Sequence, residues 1–442
     1  MRCVIIGNGV AAISALESLR RLDRDGPVTI ISDEPHPFYS RPLISYLLAG
    51  EVAEDRLWLR PGDFYQRMGA RTMFGRRVEQ VEAGERRLRL DDGSTVGYDR
   101  LLLATGGRPI VPPIQGAEAS GVFTFTTLDD AHRLDAHLRE HAPRRATVLG
   151  AGLIGLKTAE GLIARGLQVT LVELADRVLS ATLDLRGSDL IRQGLANIGA
   201  EVFTGATIST IESGDGRVRG VVLADSAKAV ASAATAGKDG SSFPADLVLL
   251  AVGVRPATEF LSGSGIACGR GIQVNGRMET NVEGVFAAGD AVEGYDITAE
   301  TSRVVATWVN AARQGRVAGA NMAGTDQTFE GSLAMNAVEI AGVATISVGL
   351  TTPSAAGGDG LEVLEDFDAK SAQYRKVVLK QNRVVGSIFV GAIDRAGILT
   401  GLIRTGTDVT SFRDRLLSPD FGLVWLPKEY RKHVVTGPGI EV

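Results

Sequence analysis

Only two cysteines occur among the 442 residues, Cys3 and Cys268. An iron–sulfur cluster usually takes four thiolates, so this chain does not carry one on its own cysteines. No Cys-x-x-Cys is present; Cys3 falls in an apolar run and Cys268 in a glycine-rich turn. Two unpaired thiols in a reducing compartment are therefore expected rather than a redox pair. Basic blocks are missing too. Lys and Arg number 47 against 52 Asp and Glu, a formal charge of −5, which speaks against a nucleic-acid binder. The acidic excess is too small to name a partner. No apolar run approaches the roughly 20 residues that cross a bilayer, and no leader is expected before the first strand. A cytoplasmic protein without a membrane span is expected. No metal-ligand cluster stands out either, and no metal is expected.

Glycine, by contrast, is plentiful. The 54 glycines and a hydrophobic fraction of 44% suit an α/β protein with buried parallel strands and tight strand-to-helix turns. Two of those turns share one pattern. The first is Val4-Ile5-Ile6-Gly7-Asn8-Gly9-Val10-Ala11-Ala12, and the second is Val148-Leu149-Gly150-Ala151-Gly152-Leu153-Ile154-Gly155. Each follows a short apolar run and opens a helix-like segment. Gly7 and Gly150 permit the tight turn, while Gly9 and Gly152 let a pyrophosphate approach the backbone. Ala12 and Gly155 keep helix close to strand, so that helix amides face the phosphates. Two such fingerprints in one chain predict two bound dinucleotides with electrons moving between them.

The length leaves room for about three domains at roughly 100–200 residues each. Residues 1–112 and 246–325 read as one discontinuous dinucleotide-binding domain and 113–245 as a second, with Pro112-Pro113 at the crossover. The stretch from Ala224 to Ser242, rich in Ala, Ser, Gly and Lys, reads as a mobile loop. Residues 326–442 show strand alternation over Tyr374 to Leu379 and Arg383 to Val390, then a helix-like tail, and predict an α+β domain. The apolar run Phe421 to Pro427 suits core packing, with a subunit contact as the alternative. The expected fold class is α/β, with two Rossmann-like domains and a C-terminal α+β domain.

The combination of Gly7-x-Gly9-x-x-Ala12, Ala104-Thr105-Gly106, the second fingerprint and Ala288-Gly289-Asp290 resembles the FAD/NAD(P)-dependent pyridine nucleotide-disulfide oxidoreductase-like flavoproteins over nearly the whole chain. That family includes rubredoxin and ferredoxin reductases, the flavin part of nitrite reductase, and NADH oxidases. The resemblance implies FAD at the N-terminal fingerprint and NAD(H) at the internal one. It places Asp290 and Gly289 by the ribityl and pyrophosphate, Thr307 and Trp308 by the pyrimidine end of the flavin, and Gly253 by the nicotinamide. It further implies cofactor contacts at Ala11, Val78, Leu153 and Ile154.

The residues themselves agree with this assignment. An acid ending the second strand of a Rossmann unit accepts hydrogen bonds from ribose hydroxyls. In the first unit that acid is Asp33, with Ser32 and Glu34 open as one-residue slips. In the second it is Glu173, whose carboxylate would repel a 2′-phosphate and favour NAD(H), although Arg177 could contact such a phosphate. Arg41 could neutralise the FAD diphosphate, or it could be a surface arginine.

Two departures from the family matter. Disulfide-reducing members carry a cysteine near residues 40–46, where this chain has Ser40-Arg41-Pro42-Leu43-Ile44-Ser45-Tyr46. That removes thiol chemistry and a cysteine sulfenate cycle. Many ferredoxin-reductase relatives pair a lysine at the position of Tyr46 with a glutamate at that of Lys157. Here the lysine is at 157, which is expected beside the flavin edge or else paired with Glu160 three residues on.

With no cysteine at residues 40–46 and no cluster of its own, the chain is expected to hand electrons to an outside acceptor. The function expected is an FAD-containing oxidoreductase subunit between NAD(H) and an iron–sulfur partner protein. The run Gly391 to Ile398 and the tail are similar to those of NADH-reactive FAD subunits of phenylglyoxylate dehydrogenase or tungsten aldehyde oxidoreductase type. The alternatives are a free-standing NADH:rubredoxin or ferredoxin reductase or an NADH oxidase, and a redox sensor that signals by conformation.

Overall fold

The computed structural model describes residues 1–224, 242–352 and 360–427. The loop expected from Ala224 to Ser242 falls on 225–241, outside the described residues, as does the tail after Pro427. The chain divides into two compact units, Met1–Ala175 with Gly199–Leu333, and Asp176–Ile198 with Ala334–Val442.

The first unit holds the same parallel sheet twice. In one copy the strand order is Val285–Ala287, Arg100–Leu103, Cys3–Ile6, Val28–Ser32, Ala70–Phe74, all parallel. In the other it is Glu201–Thr204, Gln168–Glu173, Arg145–Leu149, Leu247–Leu250, Val122–Phe123, again all parallel. Each glycine fingerprint ends the central strand, with the crossover strand on one side and the returning strand on the other. This reversal of strand order is where open parallel sheets bind ligands. The central strands are apolar on both faces because helices cover both, and Ile5, Leu102, Val148 and Leu249 are each fully buried. Short antiparallel pairs join the copies, with Val254–Pro256 running against Gly107–Pro109.

Helix Val10–Leu22, behind the first fingerprint, packs on helix Trp308–Met322 at backbone distance. A Cβ at Gly315 would lie 2.2 Å from the Ala11 carbonyl oxygen, and one at Gly319 would lie 2.1 Å from that of Ala15. Glycine on one helix and alanine on the other are therefore steric requirements of this crossing. Cys3 sits in the sheet's central strand, packed in the core with these helices, and burial pushes its thiol pKa up to about 11. Both cysteines are free, Cys3 buried and Cys268 exposed.

In the second unit an antiparallel sheet runs Met335–Ile340, Val343–Gly349, Arg383–Val390, Gln373–Lys380, Leu361–Asp368. Helices Leu185–Asn197 and Ala396–Thr405 pack against it. The apolar tail is split in its fate. Phe421 and Leu426 are buried and Phe421 stacks on Phe412 at 6.0 Å, whereas Val424 is 68% exposed. Among the described residues no helix is long and apolar enough to cross a membrane.

One polar cluster ties this unit together. Asp184 caps helix Leu185–Asn197 by accepting from the Gly187 amide at 3.0 Å. It also accepts from the Tyr374 hydroxyl at 2.7 Å and from Lys376 Nζ at 2.8 Å. Lys376 is only 8% exposed. Burial works to raise the Asp184 pKa, but the Lys376 ammonium, the Gly187 amide and the Tyr374 hydroxyl outweigh it and hold the carboxyl below its usual range. A carboxyl depressed in the fold contributes stability that is complete above its unfolded pKa, roughly 4. That contribution is lost as pH falls through the folded value. Asp184→Asn should therefore destabilise the unit by about 2 kcal/mol at neutral pH, since it removes the nearer carboxylate from the buried Lys376 ammonium and leaves it Glu365 at 3.7 Å. It should also flatten the loss of stability below roughly pH 4. Denaturant titrations of both proteins at neutral and acidic pH check both effects.

Candidate functional site

The first fingerprint turn is held by backbone contact. Gly7 has φ +108°, and a Cβ there would stand 2.1 Å from the Ala104 carbonyl oxygen. The end of the central strand and the Ala104-Thr105-Gly106 turn thus press together. The Gly7 amide donates to Ile31 at 2.7 Å, and Thr105 Oγ1 donates to the Ala257 carbonyl at 2.8 Å. Gly106, at φ +66°, accepts from the Ala257 amide at 3.0 Å.

Gly9 is different. Its backbone is extended (φ −84°), and a Cβ on it would meet no protein atom within 4 Å. Neither packing nor backbone strain asks for glycine here, which is what a position kept clear for a ligand requires. Helix Val10–Leu22 then starts with no side-chain cap, so its first amides remain for an anion. Ala12 is fully buried in the core behind it.

Gly289 closes the same corner from the neighbouring chain turn. It has φ +89°, a Cβ on it would stand 3.0 Å from Ala11 Cβ, and its amide donates to Gln314 Oε1 at 2.8 Å. Asp290 follows, and it has no hydrogen-bond partner among the described residues. Burial raises its carboxyl pKa, with the Arg41 charge opposing. A half-buried carboxyl without a partner, beside bare helix amides, suits the hydroxyl-rich, phosphate-bearing part of a dinucleotide. Gln314 belongs to helix Trp308–Met322, whose N-cap is Thr307, with Asn310 N to Thr307 Oγ1 at 3.4 Å. Trp308 stacks on Phe38 with ring centroids 5.9 Å apart.

The acids end up in unequal positions. Ile31 and Val172 take the same place opposite the two fingerprint glycines, accepting from Gly7 and Gly150 respectively. The register that puts Glu173 at the end of its strand therefore puts Ser32, not Asp33, at the matching point. Asp33 is one residue further on, largely exposed, 3.9 Å from Arg108. Glu34 is inside: it accepts from Tyr39 Oη at 2.5 Å and pairs with Arg41. Arg41 also donates to the Thr126 carbonyl at 2.8 Å. Val78 lies in the core under the same sheet, with its side chain buried.

The second fingerprint repeats the construction. Gly150 has φ +105°, and a Cβ there would stand 2.4 Å from the Ala251 carbonyl oxygen; beside Gly152 there is again nothing within 4 Å. Gly155 is required by packing, because a Cβ would reach 2.0 Å from the Gly150 carbonyl oxygen. Leu153 and Ile154 open the uncapped helix Leu153–Ala164. Glu173 accepts from the Ala151 amide at 2.6 Å and the Ala175 amide at 2.8 Å, which fixes it beside the turn. Gly253, at φ +121°, accepts from the Ile110 amide at 3.0 Å. Arg177 is engaged with Asp176 and the carbonyls of Leu183 and Ser180.

Lys157, one turn into that helix, makes an ion pair with Glu160 at 2.7 Å and lies over the Tyr46 ring at 4.5 Å. Burial opposes its charge, yet Glu160 and the Tyr46 hydroxyl outweigh burial and hold the lysine above its usual pKa. Helix Ile44–Ala49, which carries Tyr46, comes close here, since a Cβ on Gly161 would be 3.2 Å from Leu48.

Several residues of this corner carry no signal in the sequence. Asn8 donates to the His36 carbonyl at 3.1 Å and accepts from Tyr65 Oη at 2.8 Å, while Tyr65 Oη accepts from the Phe38 amide at 3.0 Å. Together they pin residues 36–38 beneath the first fingerprint. Their one trace in the sequence is that Asn8 is the middle residue of Gly-x-Gly. A separate cavity of about 850 Å³, lined by His137, Arg144, Arg145, Arg217 and Asp246 among others, opens at the start of strands Arg145–Leu149 and Gln168–Glu173. That is the opposite end from the fingerprints, so it is no part of this site.

Comparison with known proteins agrees with this geometry. Residues 1–315 match the pyridine nucleotide-disulphide oxidoreductase family, and residues 335–407 match the rubredoxin NAD+ reductase C-terminal domain. The chain is 33% identical over 418 residues to the epsilon subunit of NADH-dependent phenylglyoxylate dehydrogenase from Aromatoleum evansii, covering 94% of each. Among solved structures it is similar to an NAD-dependent persulfide reductase from A. fulgidus, with TM-score 0.83, 27% identity, and coverage of 96% of this chain and 79% of that one. It is also similar to a ferredoxin reductase from Rhodopseudomonas palustris, with TM-score 0.81, 26% identity, and coverage of 92% and 95%. The chain belongs to the pyridine nucleotide-disulphide oxidoreductase family, as an NADH-dependent flavoprotein oxidoreductase with FAD and NAD(H) as its cofactors.

Proposed function

We propose that this protein is the NADH-reactive FAD subunit of a larger cytoplasmic oxidoreductase, passing electrons between NAD(H) and an iron–sulfur partner protein. The observation that carries this reading is the repeated glycine turn. Two positions, Gly9 and Gly152, are kept clear of protein, each at an uncapped helix start and each at the strand-order reversal of its own sheet. FAD, when bound, supplies a centre that accepts a hydride and releases electrons singly. The likeness to a dehydrogenase subunit over 94% of both chains supports a subunit role, as does the similarity of the run Gly391 to Ile398. The likeness to a ferredoxin reductase supports an iron–sulfur acceptor.

The chain's residues divide the work. The amides behind Gly9, with Arg41 and Asp290, would hold the FAD diphosphate and ribityl, and the N-terminus of helix Trp308–Met322 would favour negative charge on the flavin's pyrimidine end. Gly152 and its helix would hold the NAD(H) pyrophosphate, Glu173 its adenosine ribose, and Gly253 would pass the nicotinamide. Glu173 is an anion fixed by two amides, and the guanidinium of Arg177 is already engaged, so NADH is favoured over NADPH.

Three measurements test this reading. Gly9→Val should yield protein without a flavin spectrum, whereas Gly152→Val should keep its flavin and lose NADH reduction, because each side chain occupies only its own pyrophosphate's space. NADH should reduce the flavin faster than NADPH, and the isolated chain should reduce dyes or an iron–sulfur acceptor while consuming oxygen slowly. Rapid NADH-dependent oxygen consumption would favour an oxidase instead. Lys157→Met should lower the flavin midpoint potential by tens of millivolts if the ammonium lies near the flavin. An unchanged potential and NADH reduction rate would leave Lys157 as the partner of Glu160 alone.

A further inference from the structure

Four of the five histidines fall into two pairs, His36 with His132 and His137 with His141. The first pair has carboxylates around it. His36 Nε2 is 2.7 Å from Asp129 Oδ1, and His132 Nε2 is 3.0 Å from Glu54 Oε2. The two imidazole rings are 6.2 Å apart and nearly perpendicular. One donor atom from each of His36, Asp129 and His132 lies within 4.8 Å of the others. We infer that His36, Asp129 and His132 form a binding site for one divalent transition-metal ion of the Zn²⁺ type, with Glu54 at its edge.

The donor chemistry selects the ion. Two imidazoles with a carboxylate suit Zn²⁺ rather than Ca²⁺ or Mg²⁺, which take oxygen ligands. Two carboxylates, Asp129 and Glu54, balance the ion's double charge. At metal–ligand distances of about 2.0–2.2 Å, the donors need to draw together by about an ångström. Asp129, His132 and Glu54, at 41%, 43% and 48% exposed, have room to swing toward the more buried His36, at 19%. The same exposure gives an ion in solvent access to the site.

The placement gives the ion a role. Asp129 and His132 are three residues apart in the first turns of helix Leu128–His141, so they share a face. His36 comes from the loop after strand Val28–Ser32, and Glu54 opens the turn Glu54–Leu57. The loop is already tied to this helix and the residues before it at three points: the Leu128 amide donates to Tyr39 Oη at 3.0 Å, Arg41 donates to the Thr126 carbonyl, and His36 meets Asp129. A metal ion would replace the His36–Asp129 contact by coordination that also takes in His132, and so stiffen residues 34–41, which carry the Glu34–Tyr39–Arg41 cluster. No metal cluster is legible in the sequence, because His36 stands 93 residues before Asp129.

The test is Zn²⁺ titration of chelator-treated, full-length holoprotein, read by bound metal per chain after dialysis and by the thermal midpoint. One Zn²⁺ per chain and a raised midpoint are expected. His132→Gln and Asp129→Asn, both at half-exposed positions, should each weaken binding at least tenfold and lose the midpoint rise. His137→Gln, which breaks the rival i, i+4 pair with His141, should bind as the parent does. The inference is overturned if the parent protein retains no Zn²⁺, if His132→Gln binds undiminished, or if only His137→Gln loses the ion.

Discussion

Everything at the dinucleotide sites depends on two backbone contacts that leave no room for a side chain. Gly7 lies against the Ala104 carbonyl, and Gly150 lies against the Ala251 carbonyl. Each contact joins the end of a central strand to the end of its returning neighbour, at the point where strand order reverses. Once those ends are pressed together, the helix that follows must start at the sheet's edge with its amides facing outward. The next glycine of each turn then stands beside open space. A left-handed glycine conformation at the first position, φ near +105° in both, is what lets the chain turn so sharply. Any other residue would separate the strand ends and carry the helix start away from the reversal point.

A second set of close contacts sets the height of the elements around the first site. Gly315 and Gly319 bring helix Trp308–Met322 onto the backbone of Val10–Leu22, and Gly289 brings its own turn onto Ala11. The three contacts share helix Val10–Leu22 as their anchor. That helix therefore positions the fingerprint amides, the Asp290 turn through Gly289, and the helix start at Thr307. A small residue at Ala11 is thus a steric matter at two interfaces at once, although its side chain is buried.

The fingerprints and the two sheets were legible because their signal is local: an apolar run, a glycine turn and a helix within some fifteen residues. The strands expected at Tyr374 to Leu379 and Arg383 to Val390 appear at Gln373–Lys380 and Arg383–Val390 because their signal is also local, although both are buried along most of their length rather than on one face alone. The acid of the first unit was harder to place, because the register is set by Gly7 bonding Ile31 across the sheet, and that contact puts Ser32 opposite the position of Glu173. Counting residues from the glycines cannot reveal it. The pairing of Asn8 with Tyr65, of Gln314 with Gly289 and of Asp184 with Lys376 was invisible in a stronger sense. Each joins groups 25 to 192 positions apart, and Tyr65, Gln314, Asp184 and Lys376 have no distinctive local pattern. Residues 176–198 also leave the first unit for the second, as Asp184 requires by bonding Tyr374 and Lys376.

The family's name describes disulfide chemistry, yet this chain has no cysteine at residues 40–46. Of its two thiols, Cys268 is exposed and far along the chain from either fingerprint, and Cys3 is sealed in the core strand with its pKa raised by burial. A thiol held in that state is neither nucleophile nor redox partner, since the thiolate is the reactive form. Where disulfide-reducing relatives place a cysteine, residues 40–46 offer Ser45, which spends its hydroxyl on the Pro42 carbonyl at 3.1 Å, and Tyr46 beneath Lys157. No group in this segment can take up an electron pair from a reduced flavin. The fold therefore keeps both nucleotide sites and removes the internal acceptor, so electrons arriving from NADH must leave through the protein's surface to another molecule.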